Sequence, residues 1–360
     1  MIEQAFWQSR RVFITGHTGF KGSWLCIWLR QLGAEVKGFS LEPETTPSLF
    51  QEAKVAEIME SEIGDIRNLD ILQKSMSDFR PDIVIHMAAQ PLVRYSYQAP
   101  IETYSTNVLG TAHFLQAALS CSTVRSVINV TTDKCYDNKE WLWAYRENEP
   151  IGGHDPYSSS KGCSELVTAS YRKSFYEKRG IGLATARAGN VVGGGDWGFD
   201  RLIPDILRAF EKSKPAIIRN PTAIRPWQHV LEPLSGYLTL ARALYESPNE
   251  FAEAWNFGPN EDGSQTVNWI IDEMIRAWPG AKWQLDKSND NPHEANYLKL
   301  DISKAKSKLL WSPIWSLDIT LNRIINWHKS WLAGKNMQKV TLTEIKDFMK
   351  SIELNTNERY

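Results

Sequence analysis

The sequence predicts an α/β fold, in which a doubly wound parallel sheet carries helices on both faces and is followed by a smaller C-terminal domain. Two observations support this prediction. Short runs rich in β-branched residues alternate with segments of helical apolar spacing through the first half of the chain. These runs are apolar at consecutive positions, which is typical of parallel strands that are buried on both faces.

The order of the elements follows from these patterns. The first strand, residues 11–15, leads into a glycine-rich turn and then into a helix from Gly19 to Leu32. Further strands are predicted at 35–40, 82–89, 126–132 and 182–188, and helices at 68–79, 103–119 and 158–177. After about Asn190 the pattern becomes irregular until a helix at 317–331. The predicted domains are therefore 1–190 and 191–335, followed by a polar tail, 336–360, that we expect to be partly mobile.

Charge and composition exclude several classes of function. Lysine and arginine total 41 against 42 acidic residues, so the chain has no general attraction to nucleic acid or to an anionic membrane. No stretch approaches the roughly 20 apolar residues of a membrane span, and the first residues lack the apolar core of a signal peptide. We therefore expect a soluble, cytoplasmic protein. The four cysteines are scattered along the chain, and we predict neither a metal site nor a disulfide framework.

Three glycines in the turn after the first strand predict a dinucleotide site. Gly16, Gly19 and Gly22 have the spacing G-x-x-G-x-x-G where a strand passes into a helix. Glycines allow the backbone to approach a pyrophosphate closely, while the helix N-terminus supplies free N–H groups and a partial positive charge. Residues 1–190 are thus predicted to form a Rossmann domain. At the end of the second strand, Ser40 stands where an acid usually binds the adenosine ribose, and without an arginine there NAD is favoured over NADP.

A tyrosine and a lysine four residues apart predict the reacting groups. Tyr157 and Lys161 open a predicted helix and lie on one of its faces. A tyrosine of ordinary pKa, about 10, is a poor base at neutral pH. The Lys161 ammonium and a positive nicotinamide ring would favour the phenolate, so that Tyr157 removes a hydroxyl proton while hydride passes to the cofactor. Lys161 would also hold the nicotinamide ribose.

Four segments together resemble the extended short-chain dehydrogenase/reductase family. They are GHTGFKG at 16–22, HMAAQ at 86–90, TTDK at 131–134 and YSSSK at 157–161, in family order and at family spacing. The resemblance covers at least residues 10–190 and implies that Thr132 hydrogen-bonds the reacting oxygen. It also implies cofactor contacts from Phe20, Asp65, Ile66, Ala88, Ala89, Gln90 and Thr106. Gln90 is expected to point toward the substrate sugar as well. For Asp65 an alternative is open, in which it only forms part of the N-terminal cap of the next helix.

The residues after Thr132 resemble those of sugar-nucleotide 4,6-dehydratases. Those enzymes place an Asp-Glu pair there, an acid for the leaving hydroxyl and a base for the C5 proton, whereas this chain has Asp133 and Lys134. As the C5 base, Lys134 requires a lowered pKa, because an unperturbed lysine is charged at pH 7. Alternatively, Lys134 only binds phosphate or lies at the surface. The segments GHTGFKGSWL and TTDKCY look like those of the CDP-glucose enzymes, which implies CDP-glucose as the substrate. His17 and Lys21 are part of that resemblance, with His17 as a candidate substrate residue; alternatively, each is simply an exposed loop residue.

The later part of the chain is expected to hold the nucleotide diphosphate, which makes residues 191–335 mainly a nucleotide-sugar-binding domain. Arginine forks suit diphosphate oxygens, and the candidates are Arg187, Arg201 and Arg225, with Asn190 as a further contact. The segment 292–311 resembles the segment that closes over the nucleotide in the family, and Tyr297 is its candidate substrate residue. His293 to Asn296 stand where the family has an arginine before that tyrosine.

The resemblance also implies a biological setting, namely deoxysugar synthesis for a bacterial surface polysaccharide such as lipopolysaccharide O-antigen. It implies a homo-oligomer, either a dimer or a tetramer. Two alternatives remain open. The first is another dehydratase or a sugar-nucleotide 4-epimerase, which shares Tyr157 and Lys161 but, as an epimerase, does not need Asp133 and Lys134. The second is a catalytically silent dinucleotide-binding sensor or scaffold, against which the intact Thr132, Tyr157 and Lys161 argue.

Overall fold

The structure is a computed structural model that describes residues 2–286 and 297–357. Its strands are β1 (Arg11–Thr15), β2 (Glu35–Ser40), β3 (Glu60–Ile63), β4 (Ile83–His86), β5 (Ser126–Val130), β6 (Gly182–Ala188), β7 (Asn190–Val192), β8 (Ala216–Ile218), β9 (Ile224–His229), β10 (Ala254–Phe257), β11 (Ser264–Thr266) and β12 (Trp283–Leu285). Its helices are α1 (Gln4–Trp7), α2 (Phe20–Gln31), α3 (Leu49–Glu52), α4 (Leu69–Phe79), α5 (Val93–Gln98), α6 (Pro100–Tyr104), α7 (Gly110–Ser120), α8 (Pro156–Tyr171), α9 (Leu202–Glu211), α10 (Leu231–Glu246), α11 (Pro248–Phe251), α12 (Val267–Ala277), α13 (Ser303–Lys308), α14 (Leu317–Leu332) and α15 (Met337–Asn357). A π-helical turn, Ser105–Leu109, joins α6 to α7, and a second, Arg172–Tyr176, extends α8.

A seven-stranded sheet of order β3-β2-β1-β4-β5-β6-β10 forms the centre of the molecule. All neighbouring strands in it are parallel. In β1, Val12 and Ile14 face one hydrophobic core, whereas Phe13 faces a second core on the other side. This alternation is that of a strand covered on both faces. The predicted α/β fold with a doubly wound parallel sheet is therefore confirmed.

Helices cover the two faces of this sheet. On one face, α2, α10 and α15 contribute Trp24, Leu234 and Phe348 to the first core. On the other face, α4 and α7 contribute Leu72 and Phe114 to the second core, and α8 packs against it. The residues of α2 from Gly22 to Leu29 are buried without interruption, because this helix lies between the sheet and α15.

A smaller unit follows the sheet and has a core of its own. Two small sheets, β7-β9-β11 and β8-β12, pack with α9, α12 and α14 around a third cluster that includes Ile206, Ile270 and Ile324. The chain does not divide cleanly at residue 190, because β10 returns to the large sheet and pairs with β6. The proposed domain boundaries therefore stay a prediction, and the sheet draws on residues from both sides of them.

Several elements differ from those predicted. The strands predicted at 82–89 and 126–132 end earlier, at His86 and Val130, because the chain turns there into the functional site. The expectation of a partly mobile tail is wrong for most of its length, because residues 337–357 form helix α15 with Ile345 and Phe348 completely buried. In the two described ranges, no helix combines the length and the apolar character that crossing a membrane would need.

Candidate active site

A cavity of about 1490 Å³ opens at the carboxyl ends of the central strands. This edge of a parallel sheet is where ligands bind in doubly wound folds. The smaller unit closes the cavity from the other side. Most of the residues predicted for the site line its wall, namely Gly16, Gly19, Phe20, Gly22, Ser40, Asp65, Ile66, Ala88, Ala89, Gln90, Thr106, Thr132, Asp133, Lys134, Tyr157, Asn190, Arg201 and Arg225.

The glycine turn owes its shape to close backbone contacts. Gly16 has φ +80°, and a Cβ at this position would lie 2.6 Å from the backbone nitrogen of Ala88. A Cβ at Gly22 would lie 2.1 Å from the Gly16 carbonyl oxygen. At Gly19, which precedes the first turn of α2, the same oxygen would be 3.4 Å away and the space beside the helix N-terminus stays open. The turn therefore presents the N–H groups of α2 to the cavity, as an anion-binding site requires.

Ser40 takes the position of the missing acid at the end of β2. Its hydroxyl lies 2.8 Å from Thr18 Oγ1, and Thr18 donates its only hydroxyl proton to the carbonyl oxygen of Leu41. Ser40 must therefore donate to Thr18, since each hydroxyl has one proton. Its lone pairs remain directed outward as acceptors, which is the role that a carboxylate plays toward a ribose hydroxyl.

Asp65 and Gln90 line the cavity but use their polar groups to hold loops. The Arg67 guanidinium donates to both Asp65 oxygens, at 2.6 to 3.0 Å, and this hydrogen bonding lowers the Asp65 pKa. The Gln90 amide donates to Thr103 at 2.8 Å and accepts from the Leu92 backbone at 2.5 Å. The contacts expected from these two side chains to adenine and to the sugar stay predictions.

Two other candidates turn away from the cavity. The His17 ring is completely buried over Gly38, with Nε2 2.7 Å from Ser61 Oγ, and burial lowers its pKa to about 4. It is therefore an uncharged packing residue at neutral pH. The Tyr297 hydroxyl donates to the Leu142 carbonyl oxygen at 3.5 Å, and the neighbouring Leu298 lines the cavity instead. His293 to Asn296, also considered from the sequence, lie outside the described residues.

The start of α8 positions the tyrosine and the lysine. Asp155 caps the helix by accepting from the Ser158 backbone at 2.9 Å, and Pro156 is the first helical residue. Tyr157 and Lys161 are thereby one turn apart on the same face, as predicted. The Lys161 ammonium donates to the Val130 carbonyl oxygen at 3.3 Å, and burial lowers its pKa to about 8.

The surroundings of the tyrosine hydroxyl differ in one respect from the prediction. Burial raises the pKa of Tyr157 to about 12, and a hydrogen bond with Thr132 opposes this rise. The positive charge of Arg201, which the sequence did not lead us to expect beside Tyr157, also opposes the rise. Arg201 itself bonds both oxygens of Asp196, at 3.0 and 3.1 Å.

The two carboxylate oxygens of Asp133 have different surroundings. Its side chain is 1% exposed, and Oδ1 accepts from the Thr132 hydroxyl at 3.0 Å. Within the described part of the chain, Oδ2 has no hydrogen-bond partner. A Cβ at Gly189 would come within 3.1 Å of this oxygen. Lys134 lies beside it, with Nζ 3.9 Å from Oδ1 and one third of its side chain exposed. A buried carboxyl oxygen without a partner is costly unless a ligand supplies the hydrogen bond.

The candidate substrate residues of the smaller unit reach the same cavity. Asn190 begins β7, and Arg225 lies on the adjoining β9, where its guanidinium donates to the Ile224 carbonyl oxygen at 3.0 Å. Arg187 does not join them. Its side chain is 3% exposed and pairs with Glu165 on α8, so the expectation that it binds a diphosphate is wrong.

Several polar residues of the wall were not predicted from the sequence. Asp196 follows the three glycines at 193–195, while Arg94 and Arg219 lie near Asp200 at 3.9 and 3.5 Å. Lys21 entered only as part of the resemblance, yet it lines the cavity in the first turn of α2. Burial, with Lys161 and Arg201 nearby, lowers its pKa to about 8. The position of Lys21 inside the glycine motif was the signal that it would face the site.

The chain is similar in sequence and fold to known dehydratases and epimerases of sugar nucleotides. Residues 13–324 match the family model described as GDP-mannose 4,6 dehydratase. A CDP-glucose 4,6-dehydratase of Salmonella typhimurium is 57% identical over 357 residues, which cover 98% of this chain and 99% of that protein. The solved UDP-glucuronic acid 4-epimerase of Bacillus cereus, in complex with UDP-glucuronic acid and NAD, superposes with a TM-score of 0.77 at 26% identity, over 89% of this chain and 99% of that one. A dTDP-glucose 4,6-dehydratase of Streptomyces venezuelae shares the fold, with a TM-score of 0.74 at 22% identity, over 91% of this chain and 99% of that one.

Proposed function

The chain belongs to the extended short-chain dehydrogenase/reductase family in the branch described as GDP-mannose 4,6 dehydratase, and from this premise we propose that it is an NAD-dependent CDP-glucose 4,6-dehydratase. Its reaction converts CDP-D-glucose into CDP-4-keto-6-deoxy-D-glucose and one water. The choice of CDP-glucose rests on the 57% identity to the Salmonella typhimurium enzyme, because a dTDP-glucose 4,6-dehydratase of Escherichia coli is only 24% identical.

The residues at the carboxyl edge of the sheet fit NAD. The open space at Gly19 beside the N-terminus of α2 suits a pyrophosphate, and Ser40 offers acceptor lone pairs to a ribose hydroxyl. The loop after β2 carries Glu42 and Glu44 into the cavity wall, and these carboxylates disfavour a 2′-phosphate. When bound, NAD would supply the acceptor for the C4 hydride and the donor for its return to C6, without being consumed.

The protein's own groups manage the protons. Tyr157 takes the proton of the C4 hydroxyl, and Thr132 hydrogen-bonds the same oxygen. Asp133 then protonates the departing C6 hydroxyl, which leaves as water. Lys134 takes the C5 proton, which the C4 ketone has made acidic, and returns it to C5 when hydride adds at C6. The proton that Tyr157 took from the C4 hydroxyl replaces the one that Asp133 gave to the departing water. The overall change is the loss of one water, with no net oxidation or reduction.

The observation that carries the proposal is the buried Oδ2 of Asp133, which lacks a hydrogen-bond partner among the described residues. An epimerase needs only the tyrosine, the threonine and the lysine. In such an enzyme, a buried acid beside them would destabilise the fold without serving the reaction. A dehydratase has a use for this acid, because a hydroxyl is a poor leaving group until it is protonated. Asp133 also lies directly after Thr132, and both residues line the same cavity.

The test is to incubate the protein and NAD separately with CDP-glucose, dTDP-glucose, UDP-glucose and GDP-mannose. The 4-keto product is followed by its absorbance in alkali and identified by mass. We expect CDP-glucose to lose one water without net formation of NADH. Turnover of a different sugar nucleotide would show that the proposed substrate is wrong. A product of unchanged mass but altered sugar configuration would show that the proposed dehydration is wrong.

An Asp133→Asn variant separates the acid from the tyrosine. The amide retains the size of the side chain but cannot donate the proton that the leaving hydroxyl needs. We expect this variant to form a 4-keto sugar with bound NADH in a single turnover and to release little 6-deoxy product. Full dehydration by the variant would show that Asp133 is not the acid.

We also propose that the protein is a homo-oligomer, a dimer or a tetramer. The helices α6 to α8 pack against one another, yet four apolar side chains on them and on the adjoining π-helical turns are 46 to 81% exposed, namely Ile101, Leu109, Leu166 and Phe175. Apolar groups on adjoining helices support a helix-to-helix interface. Light scattering on wild type and on Leu166→Glu should show a smaller particle for the variant, whereas Leu354→Glu on α15, also strongly exposed, should not change the mass.

The proposed location is the cytoplasm, and the proposed setting is the synthesis of deoxysugars for a bacterial surface polysaccharide such as O-antigen. The product, a 4-keto-6-deoxy sugar nucleotide, is the starting point from which deoxysugars are made. The four cysteines Cys26, Cys121, Cys135 and Cys163 are free thiols, which suits a reducing compartment. Fractionation of cells that express the tagged full chain tests the location.

A further inference from the structure

A buried ion pair lies behind the catalytic groups. Glu165 on α8 and Arg187 on β6 are 5% and 3% exposed, and the guanidinium donates to both carboxylate oxygens at 2.9 and 2.8 Å. Thr131 and Thr185 also donate their hydroxyl protons to this carboxylate, at 2.5 and 2.7 Å. Burial alone would raise the pKa of Glu165, but Arg187 and these hydrogen bonds hold it below its ordinary value. The pair is therefore fully charged.

The two partners reach the two ends of one short loop. This loop runs from Thr131 to Tyr136 and carries Thr132, Asp133 and Lys134 between them. Glu165 holds its first residue through the Thr131 hydroxyl. Arg187 holds its last residue, because the guanidinium donates to the Tyr136 hydroxyl at 2.7 Å and lies 4.8 Å from the centre of the Tyr136 ring.

The same contacts relate the loop to the helix that carries the tyrosine. Glu165 follows Lys161 by four residues, so both lie on the face of α8 that meets the sheet. Lys161 donates to the Val130 carbonyl oxygen, directly before the loop. At the far end, the Tyr136 hydroxyl donates to Asn256 Oδ1 on β10 at 2.8 Å, which fixes that end to the edge of the sheet.

We infer that Glu165 is a positioning residue, which, together with Arg187, fixes the loop bearing Thr132 and Asp133 relative to Tyr157. A buried ion pair contributes little net stability because desolvation offsets its attraction, whereas it does fix geometry when every group is hydrogen-bonded. Proton transfers among three side chains need that geometry, and a misplacement of about 1 Å can reduce a rate by roughly 100-fold. This inference rests on the proposed function, because it assigns these residues a task in that reaction.

Two threonines that donate to the same carboxylate provide a matched test. Thr131→Val cuts the link to the loop, and Thr185→Val removes the equivalent hydrogen bond from β6, which is not part of the loop. Both side chains are buried, and valine has nearly the shape of threonine without its hydroxyl. We expect kcat for CDP-glucose to fall at least about tenfold in Thr131→Val only, with KM changed less than about twofold. Both variants should unfold at similar temperatures, and Thr131→Ser should restore kcat because it keeps the hydroxyl.

The results separate the inference from the proposed function. If the wild type produces no 4-keto-6-deoxy sugar from CDP-glucose, the proposed function fails, and the same variants are compared on the sugar nucleotide that is turned over. If the wild type is active but Thr131→Val and Thr185→Val have equal kcat values, the positioning role is wrong. A fall in kcat confined to Thr131→Val and reversed in Thr131→Ser supports it.

Discussion

Phe348 tests whether α15 is an integral part of the fold. The ring is completely buried and meets two tryptophans edge-on, with centroid distances of 5.7 Å to Trp28 and 4.9 Å to Trp315. Phe348→Ala removes the ring and leaves a cavity between α2 and α15. Such truncations cost about 3–5 kcal/mol, because the lost transfer free energy adds to the cost of the cavity. We expect the free energy of unfolding to fall by this amount.

The assay is denaturant unfolding followed by tryptophan fluorescence, since two of the ring's neighbours are themselves indoles. Leu354→Ala is the matched control, because Leu354 lies on the same helix and is 66% exposed. It should change the free energy of unfolding by less than about 0.5 kcal/mol. Equal effects of the two variants would mean that α15 is not packed on α2 in solution.

Three further predictions concern the site and its support. Tyr157→Phe keeps the ring but removes the proton acceptor, so kcat should fall about 10²- to 10⁴-fold without a change in unfolding temperature; more than a tenth of wild-type activity would contradict this. Gly22→Ala places a Cβ 2.1 Å from the Gly16 carbonyl oxygen, so NAD affinity measured by calorimetry should fall by more than tenfold, although alanine favours a helix by about 1 kcal/mol. An unchanged NAD affinity would mean that Gly22 is not part of the NAD site. Burial raises the pKa of Glu232 from its ordinary value of about 4.5 to about 8. The folded protein is therefore most stable, as far as this group is concerned, below about pH 4.5, and it loses that stability as the pH rises toward 8. Glu232→Gln cannot ionise, and its unfolding midpoint should vary less between pH 5 and 8; parallel profiles for the two proteins would refute the raised pKa.

The strand pattern and the motifs predicted most of the cofactor half of the site. The runs that became β1, β2 and β6 have the predicted bounds, and almost every residue in them is buried because these strands are covered on both faces. The motif residues between Gly16 and Tyr157 meet at one cavity, because parallel strands bring their carboxyl ends to the same edge. In the cofactor half of the site, the local sequence pattern and the tertiary fold therefore agree.

Side-chain direction was predicted less well. Arg187 was expected in the cavity from its neighbours in sequence, but strand alternation decides its side. Thr185 and Arg187 share one face of β6 and meet Glu165, while Ala186 and Ala188 face the other core. His17 was expected near the substrate because it stands inside the motif, yet Gly38 leaves a space that its ring fills. The direction of Arg187 could have been predicted from strand alternation. The position of His17 could not, because it depends on Gly38, a residue of another strand.

Polar elements at the margin of the fold were missed for a different reason. β3 has the sequence ESEI and forms the edge of the sheet, where only one side is paired and apolar periodicity is weak. α15 has a polar composition overall but buries a narrow stripe. The uninterrupted burial of α2 required a second cover, and its apolar residues on all sides were the available signal.

The return of β10 to the large sheet has a consequence for how the protein is made. A ribosome has translated the first six strands of that sheet by residue 188, but the seventh follows only at residue 257, and the outer cover of α2 only with α15. A nascent chain halted between these points exposes an unpaired edge at β6 and bare tryptophans on α2, both of which favour aggregation. We therefore expect the cofactor domain to complete its packing only after α15 has left the ribosome.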